Sequence, residues 1–328
     1  MVVTMPMGLL DKARSLAAWS VCVGLFATVG WTTLRPEDPL GAVSLASTPQ
    51  GVIAWLQVAA LGAAVAAIAT VLIGHRLPDA GLFAVALGLA AVNLRGADAA
   101  SLLITLQPEE GAARAGFGGV FILETLGWFA IVAAVAVVNG LLAHWFYPFR
   151  DAESGEAPPP AEAALVVTEL RAVIGAGGPS TAPRRAGWTQ GVKQLAVTLA
   201  VSLIVLRLLS VGAAPRAVNH GQVYFAVATA LYLGVIAGSY PFPTPSALWG
   251  CLAVPLLACM GYTVVWLDSD TVTAAGGVTA SHIPSSMFLR ALPLTYVSVG
   301  TAAVMAAYWF TLRWPRPVPT ASPARPVR

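Results

Sequence analysis

The sequence predicts an all-α, polytopic integral membrane protein of eight transmembrane helices arranged as two tandem four-helix units. Composition is the first reason. Of 328 residues, 57% are hydrophobic and only 10% are charged, whereas a soluble globular protein carries about 25% charged residues. So few charges cannot cover a soluble enzyme of this length, and the apolar content is too high for a disordered chain. The second reason is a series of long uninterrupted apolar runs, and the third is that their layout repeats on either side of one polar stretch.

Apolar runs fall at 15–34, 51–74, 80–95, 116–146, 193–213, 221–241, 246–267 and 286–311. Roughly 20 apolar residues in a helix cross a hydrocarbon core of about 30 Å. The run around Leu82 to Leu94 is the shortest of the eight. Continuous apolarity without in–out alternation favours helices over barrel strands. Small residues, as in Ala59-Ala60-Leu61-Gly62-Ala63-Ala64, suit close helix packing in lipid. Lys12 and Arg14 precede the first run, but Arg35-Pro36-Glu37-Asp38 follow it in place of a small-residue cleavage site. The first run therefore reads as an uncleaved anchor.

Basic residues set the expected orientation. With the N-terminus inside, Lys12, Arg14, Arg76, Arg150, Arg171, Arg184, Arg185, Lys193, Arg313, Arg316, Arg325 and Arg328 lie on the cytoplasmic side. Only Arg35, Arg95, Arg114 and Arg216 lie outside. This asymmetry follows the positive-inside rule and places both termini in the cytoplasm of a bacterial-type inner membrane. Trp145, Tyr147 and Trp314 fit interface anchors at the cytoplasmic ends.

The chain divides into a first unit, 1–147, a cytoplasmic linker, 148–191, a second unit, 192–314, and a Pro/Arg-rich disordered tail, 315–328. Within the linker, Ala161 to Ile174 has the spacing of a short amphipathic helix after Pro158-Pro159-Pro160. Each unit runs span, outer loop, span, very short inner loop, span, long outer loop, span. Gly51-Val52-Ile53-Ala54-Trp55 aligns with Gly221-Gln222-Val223-Tyr224-Phe225, and Phe121-Ile122-Leu123-Glu124 with Met287-Phe288-Leu289-Arg290. Four spans per unit give the two units one orientation, a parallel repeat.

Ionisable residues inside spans are the default functional candidates, because each costs about 2.5–3.5 kcal/mol at a helix centre. They are Glu124, Arg207 and Arg290. Arg207 lies about 21 Å up its span from Lys193, counted at 1.5 Å per residue. Glu124 and Arg290 fall within about two turns of the outer surface, and Gln57 and Tyr224 at a similar depth. These five form one expected polar layer. As a binding site it would suit an anionic lipid headgroup or a small anion, because guanidinium holds carboxylate and phosphate bidentately. As a structural layer, Glu124 pairs with Arg290 and locks the units together; this reading is favoured, since charge in lipid needs a partner whatever the function.

Pro255 and Pro293 fall inside the seventh and eighth runs, where each would kink its helix. Cys22, Cys251 and Cys259 sit in apolar runs without metal or disulfide spacing. Asp268 and Asp270, and Glu109 with Glu110, read as solvated turns, and Asp98 to Leu106 as a short helix on the outer interface.

The histidines fall in pairs, His75 and His144 at inner ends and His220 and His282 at outer ends. Paired histidines on a four-plus-four helix layout are similar in outline to the haem A synthase family, which implies haem between imidazoles. In that family the histidines lie inside the helices on one side of the membrane; here they sit at boundaries on opposite sides. No cofactor, metal or catalytic residue is therefore expected. No H-E-x-x-H, G-x-S-x-G or in-span Asp pair is present, and no basic stripe for nucleic acid. The favoured function is a structural or accessory subunit of a membrane complex, with other membrane-protein subunits and the bilayer as partners. The alternative is a transporter or lipid-handling protein binding an anionic small molecule or headgroup in the outer half of the membrane, and a more remote one is a haem-binding membrane protein.

Overall fold

In the computed structural model the described residues are 9–37, 41–44, 51–73, 79–97, 116–146, 182–210, 220–244, 246–267 and 290–312. They are all-helical, with no strand among them. We label the helices in chain order. Helix α1 is Leu9–Leu25, continued by a π-helical turn, Phe26–Gly30, and by Trp31–Leu34. Then come α2, Val52–Ile73; α3, Ala80–Arg95; α4, Gly116–Phe146; α5, Ala182–Ser210; α6, His220–Ser239; and α7, Leu248–Leu267. Helix α8 comprises Pro293–Thr295, a second π-helical turn, Tyr296–Gly300, and Thr301–Thr311. Among the described residues five helices are long and apolar enough to cross a membrane, from α1, α2, α4, α5 and α6; α3 and α7 are shorter apolar helices, so the eight expected spans are not all shown.

Proline and glycine chemistry sets the helix ends. Arg35 is extended before Pro36 and stops α1, as a residue preceding proline prefers. Helix α3 stops at extended Gly96. At α8, Leu292 is extended and Pro293 occupies the first helical turn. The proline read as an interior kink is therefore a helix start, because its missing N–H costs nothing at that position. Arg290 thus precedes α8, separated from it by the break at Ala291–Leu292. Pro255 does lie inside α7. Helix α5 begins at Ala182, within the stretch expected to be linker; Pro183 is tolerated in a first turn.

The short helix α3 occupies the centre. Most of its residues are buried, and α1, α2, α4 and α8 all pack on it. Gly88 lets it approach α1, since a Cβ there would stand 2.3 Å from the Phe26 ring. At its first turn, Phe83 meets Trp19 of α1 at 5.1 Å and Trp309 of α8 at 4.9 Å between ring centres. The most extensive pairing is α5 with α6. Gly234 and Gly238, four residues apart, face Ser202, Thr198 and Gln194 closely enough that no side chain fits between. This is the small-xxx-small packing that lets helices associate without a hydrophobic effect between them.

Among the described residues the first four helices meet the last four along three contacts, α3 on α8, α4 on α7 and α4 on α8. Away from these seams large apolar side chains point outward, among them Leu56, Leu123, Ile204, Leu208, Phe225 and Val264. So many outward-facing large apolar side chains are what a membrane protein presents to lipid.

Candidate functional site

Of the five residues expected in one polar layer, Glu124 and Arg290 are buried, at 4% and 8% exposure. Tyr224 is half-buried, and Gln57 and Arg207 are exposed on the outward faces of α2 and α5. Glu124 projects from α4 into the core, where each carboxylate oxygen receives a donor from the chain. The Ser44 hydroxyl donates at 2.7 Å and the Trp128 indole N–H at 3.1 Å. Trp128 lies one turn along the same helix, and its ring rests 6.3 Å from Trp55 of α2. Gly127 makes that approach possible, since a Cβ there would overlap the Trp55 ring. Ser44 belongs to the non-helical segment 41–44, which is buried throughout. The segment is pinned to the end of α3, where Ala97 N–H donates to Gly41 C=O at 3.1 Å.

Tyr262 of α7 connects this carboxylate to the Arg290 region. Its hydroxyl donates to the Ala291 carbonyl at 2.6 Å. Its ring meets Phe121, one turn before Glu124, edge-on at 5.2 Å, and Tyr296 edge-on at 5.9 Å. A further tie crosses the seam between α3 and α8, where Asn93 Nδ2 donates to Thr295 Oγ1 at 2.8 Å. Beside that pair lies the Tyr224 hydroxyl of α6.

The end of α3 also explains the π-helical turn of α1. Widening a helix by one residue releases a carbonyl from its regular partner. Arg95 donates to the Ala27 carbonyl in that turn, while its guanidinium covers the Trp31 ring at 4.7 Å.

A second polar group lies at the opposite end of α3. Thr70 of α2 donates to Asn139 Oδ1 of α4, and Asn139 Nδ2 donates to Asp79 Oδ1 at 3.1 Å. Gly81 gives the group room, since a Cβ would meet Asn139, Ala66 and Thr70 all within 3 Å. Asp79 has φ 56, the left-handed region that Asp and Asn tolerate better than most residues. Burial pushes its carboxyl up to about 6, partly offset by the Asn139 hydrogen bond. In the second half of the chain Gln194 plays a comparable part, donating to Ser239 at 2.8 Å and accepting from Thr244.

Sequence reasoning missed Ser44, Trp128, Tyr262, Asn93, Thr295 and Asp79. Asn93 carried a signal, a lone amide near the end of an apolar run; Ser44 carried none. Of the histidines, His220 is described in full, its ring 6.3 Å from Tyr224. His75 and His282 lie outside the described residues, as does the side chain of His144. So do the expected linker helix 161–174, the interface helix 98–106, the acidic pairs at 109–110 and 268–270, and the tail from 315. Among the described residues no three His, Cys, Asp or Glu side chains gather as metal ligands. Compared with family models, curated proteins and solved structures, the chain matches none.

Proposed function

We propose that the protein is an eight-span membrane protein of two tandem four-helix units, acting as a structural or accessory subunit of a membrane complex. The carrying observation is the coordination of Glu124. Both of its oxygens are occupied by Ser44 and Trp128 of the same chain, so the buried carboxylate clamps a loop to α4 and needs no ligand to be satisfied. Tyr262 with Ala291 and Asn93 with Thr295 act likewise across the two halves. Buried polar groups spent on internal ties suit a scaffold.

Helix packing supports the duplication. In each half the first helix packs on the second and third, and the second on the fourth. Between halves, the third helix of one packs on the fourth of the other, and the reverse. That pattern is unchanged when the halves are exchanged, as a pseudo-two-fold axis requires. The excess of basic residues on one side of the expected spans supports a bacterial-type inner membrane with both termini on its cytoplasmic side, which would put Glu124 toward the outer side.

Native mass spectrometry of the protein extracted gently from its own membranes tests the proposal. A stoichiometric protein partner is expected. A lone chain carrying a bound anionic lipid or small anion would favour the transporter or lipid-handling alternative, and a lone chain carrying haem would return attention to the histidines.

A further inference from the structure

Helix α2 packs on α1, α3 and α4 with Val58, Gly62, Val65 and Ala69 among its buried residues. Its opposite face, made of Ile53, Gln57, Ala60, Ala64, Ile68 and Val71, is exposed. Steps of three and four residues keep these six on one side of the helix. The helix has 22 residues, just enough to cross a hydrocarbon core of about 30 Å. Gln57 lies about 8 Å from its first residue, counted at 1.5 Å per residue, so its amide falls inside the apolar layer and faces outward. Lipid tails offer no hydrogen bond, and an amide left among them is costly. We propose that this face of α2 is where a second copy of the chain docks, the two Gln57 carboxamides hydrogen-bonding to each other across a two-fold axis.

The chemistry of the amide selects the occupant. A carboxamide carries both a donor and an acceptor, so two identical copies satisfy each other reciprocally, as a two-fold interface requires. A different partner would have to bring its own polar group to the same depth. Ala60 and Ala64 follow Gln57 on the same face, and their small side chains let two α2 helices approach closely enough for the amides to meet. One polar pair in an otherwise apolar seam also fixes the register of the two helices. The outward face of α5 lacks this self-complementarity. There Arg207 lies beside the bulky Ile204 and Leu208, and it would meet its own charge across such an axis. The inference does not rest on the scaffold reading: a foreign partner bound to a chain that does not pair with itself would overturn the dimer and leave that reading standing.

Two measurements on the full chain in lipid bilayers test it. The first counts subunits while the ratio of protein to lipid is varied. Wild type should dimerise, and Gln57→Leu, which replaces an outward amide by an apolar side chain of similar size, should raise the dissociation constant about tenfold with helix content unchanged. The second is disulfide crosslinking under mild oxidation, in a chain whose Cys22, Cys251 and Cys259 are replaced by alanine. Ala60→Cys should give a covalent dimer, and Leu208→Cys on α5 should not. A monomeric wild type, whose Gln57 would then reach lipid headgroups instead, would overturn the proposal. So would a dimer unaffected or strengthened by Gln57→Leu, or crosslinking at Leu208→Cys as strong as at Ala60→Cys.

Discussion

Replacing Asp79 by asparagine should make the protein more stable at neutral pH and remove a pH dependence that the wild type shows. The carboxyl is raised from 3.8 to about 6 by burial. Below pH 3.8 the group is neutral in folded and unfolded chains alike, so it brings no penalty. Between 3.8 and 6 the unfolded chain ionises while the folded one resists, and stability falls as pH rises. Above 6 the penalty is constant. A rise of about two units at 1.36 kcal/mol each sets that penalty at about 3 kcal/mol. Asparagine keeps the Oδ1 acceptor for Asn139 Nδ2 and tolerates φ 56, so the substitution removes the charge and little else. The assay is reversible unfolding in mixed micelles, followed by circular dichroism from pH 4 to 8. The variant should match wild type at pH 4 and exceed it by up to about 3 kcal/mol at pH 7. A wild-type profile flat across this range, or a variant weaker at pH 7, would refute the reasoning.

Three further substitutions probe the packing and the ties, all measured in the same unfolding assay. Glu124→Ala should cost about 3–5 kcal/mol, because it leaves a cavity and strips the Ser44 and Trp128 donors of their acceptor; a loss under about 1 kcal/mol would dismiss the clamp. Gly238→Ala places a Cβ 2.5 Å from Thr198 Oγ1 and 2.7 Å from the Gln194 carbonyl. Its clash should outweigh the helix-propensity gain of about 1 kcal/mol, and a net gain in stability would show that α5 can yield. Thr295→Val removes the acceptor of Asn93 Nδ2 and should cost about 1–3 kcal/mol. No loss would mean that the tie between the halves carries no energy.

The axial positions of helices were legible in the sequence, and their rotations were not. Eight apolar runs correspond to eight helical rods within a few residues, apart from the starts of α1, α5 and α8. Gln57 and Arg207 were placed by counting residues along a span, which measures depth but says nothing of which way a side chain faces. Spans that are apolar on every side offer no stripe from which to read the facing direction. Both residues turn outward. Glu124 was recognised because an acid inside an apolar run is conspicuous, but its partner Ser44 sits in a loop, where no periodicity ties it to α4. The shortest run, around Leu82 to Leu94, looked marginal by length, and it became the central helix because other helices surround it. Pro293 was legible as a helix disruptor; only the fold decides whether a proline interrupts a helix or begins one.

The central position of α3 has a consequence for how the chain is made. Synthesis delivers helices in order, and early segments settle before later ones exist. Helix α3 emerges well before α8, which covers one of its flanks. Until then Asn93 lacks Thr295, and Phe83 lacks the Trp309 ring. The nascent chain must therefore carry an unfinished surface until α8 is made, and a chain cut short before Pro293 should be degraded faster by membrane quality-control proteases than one that carries α8.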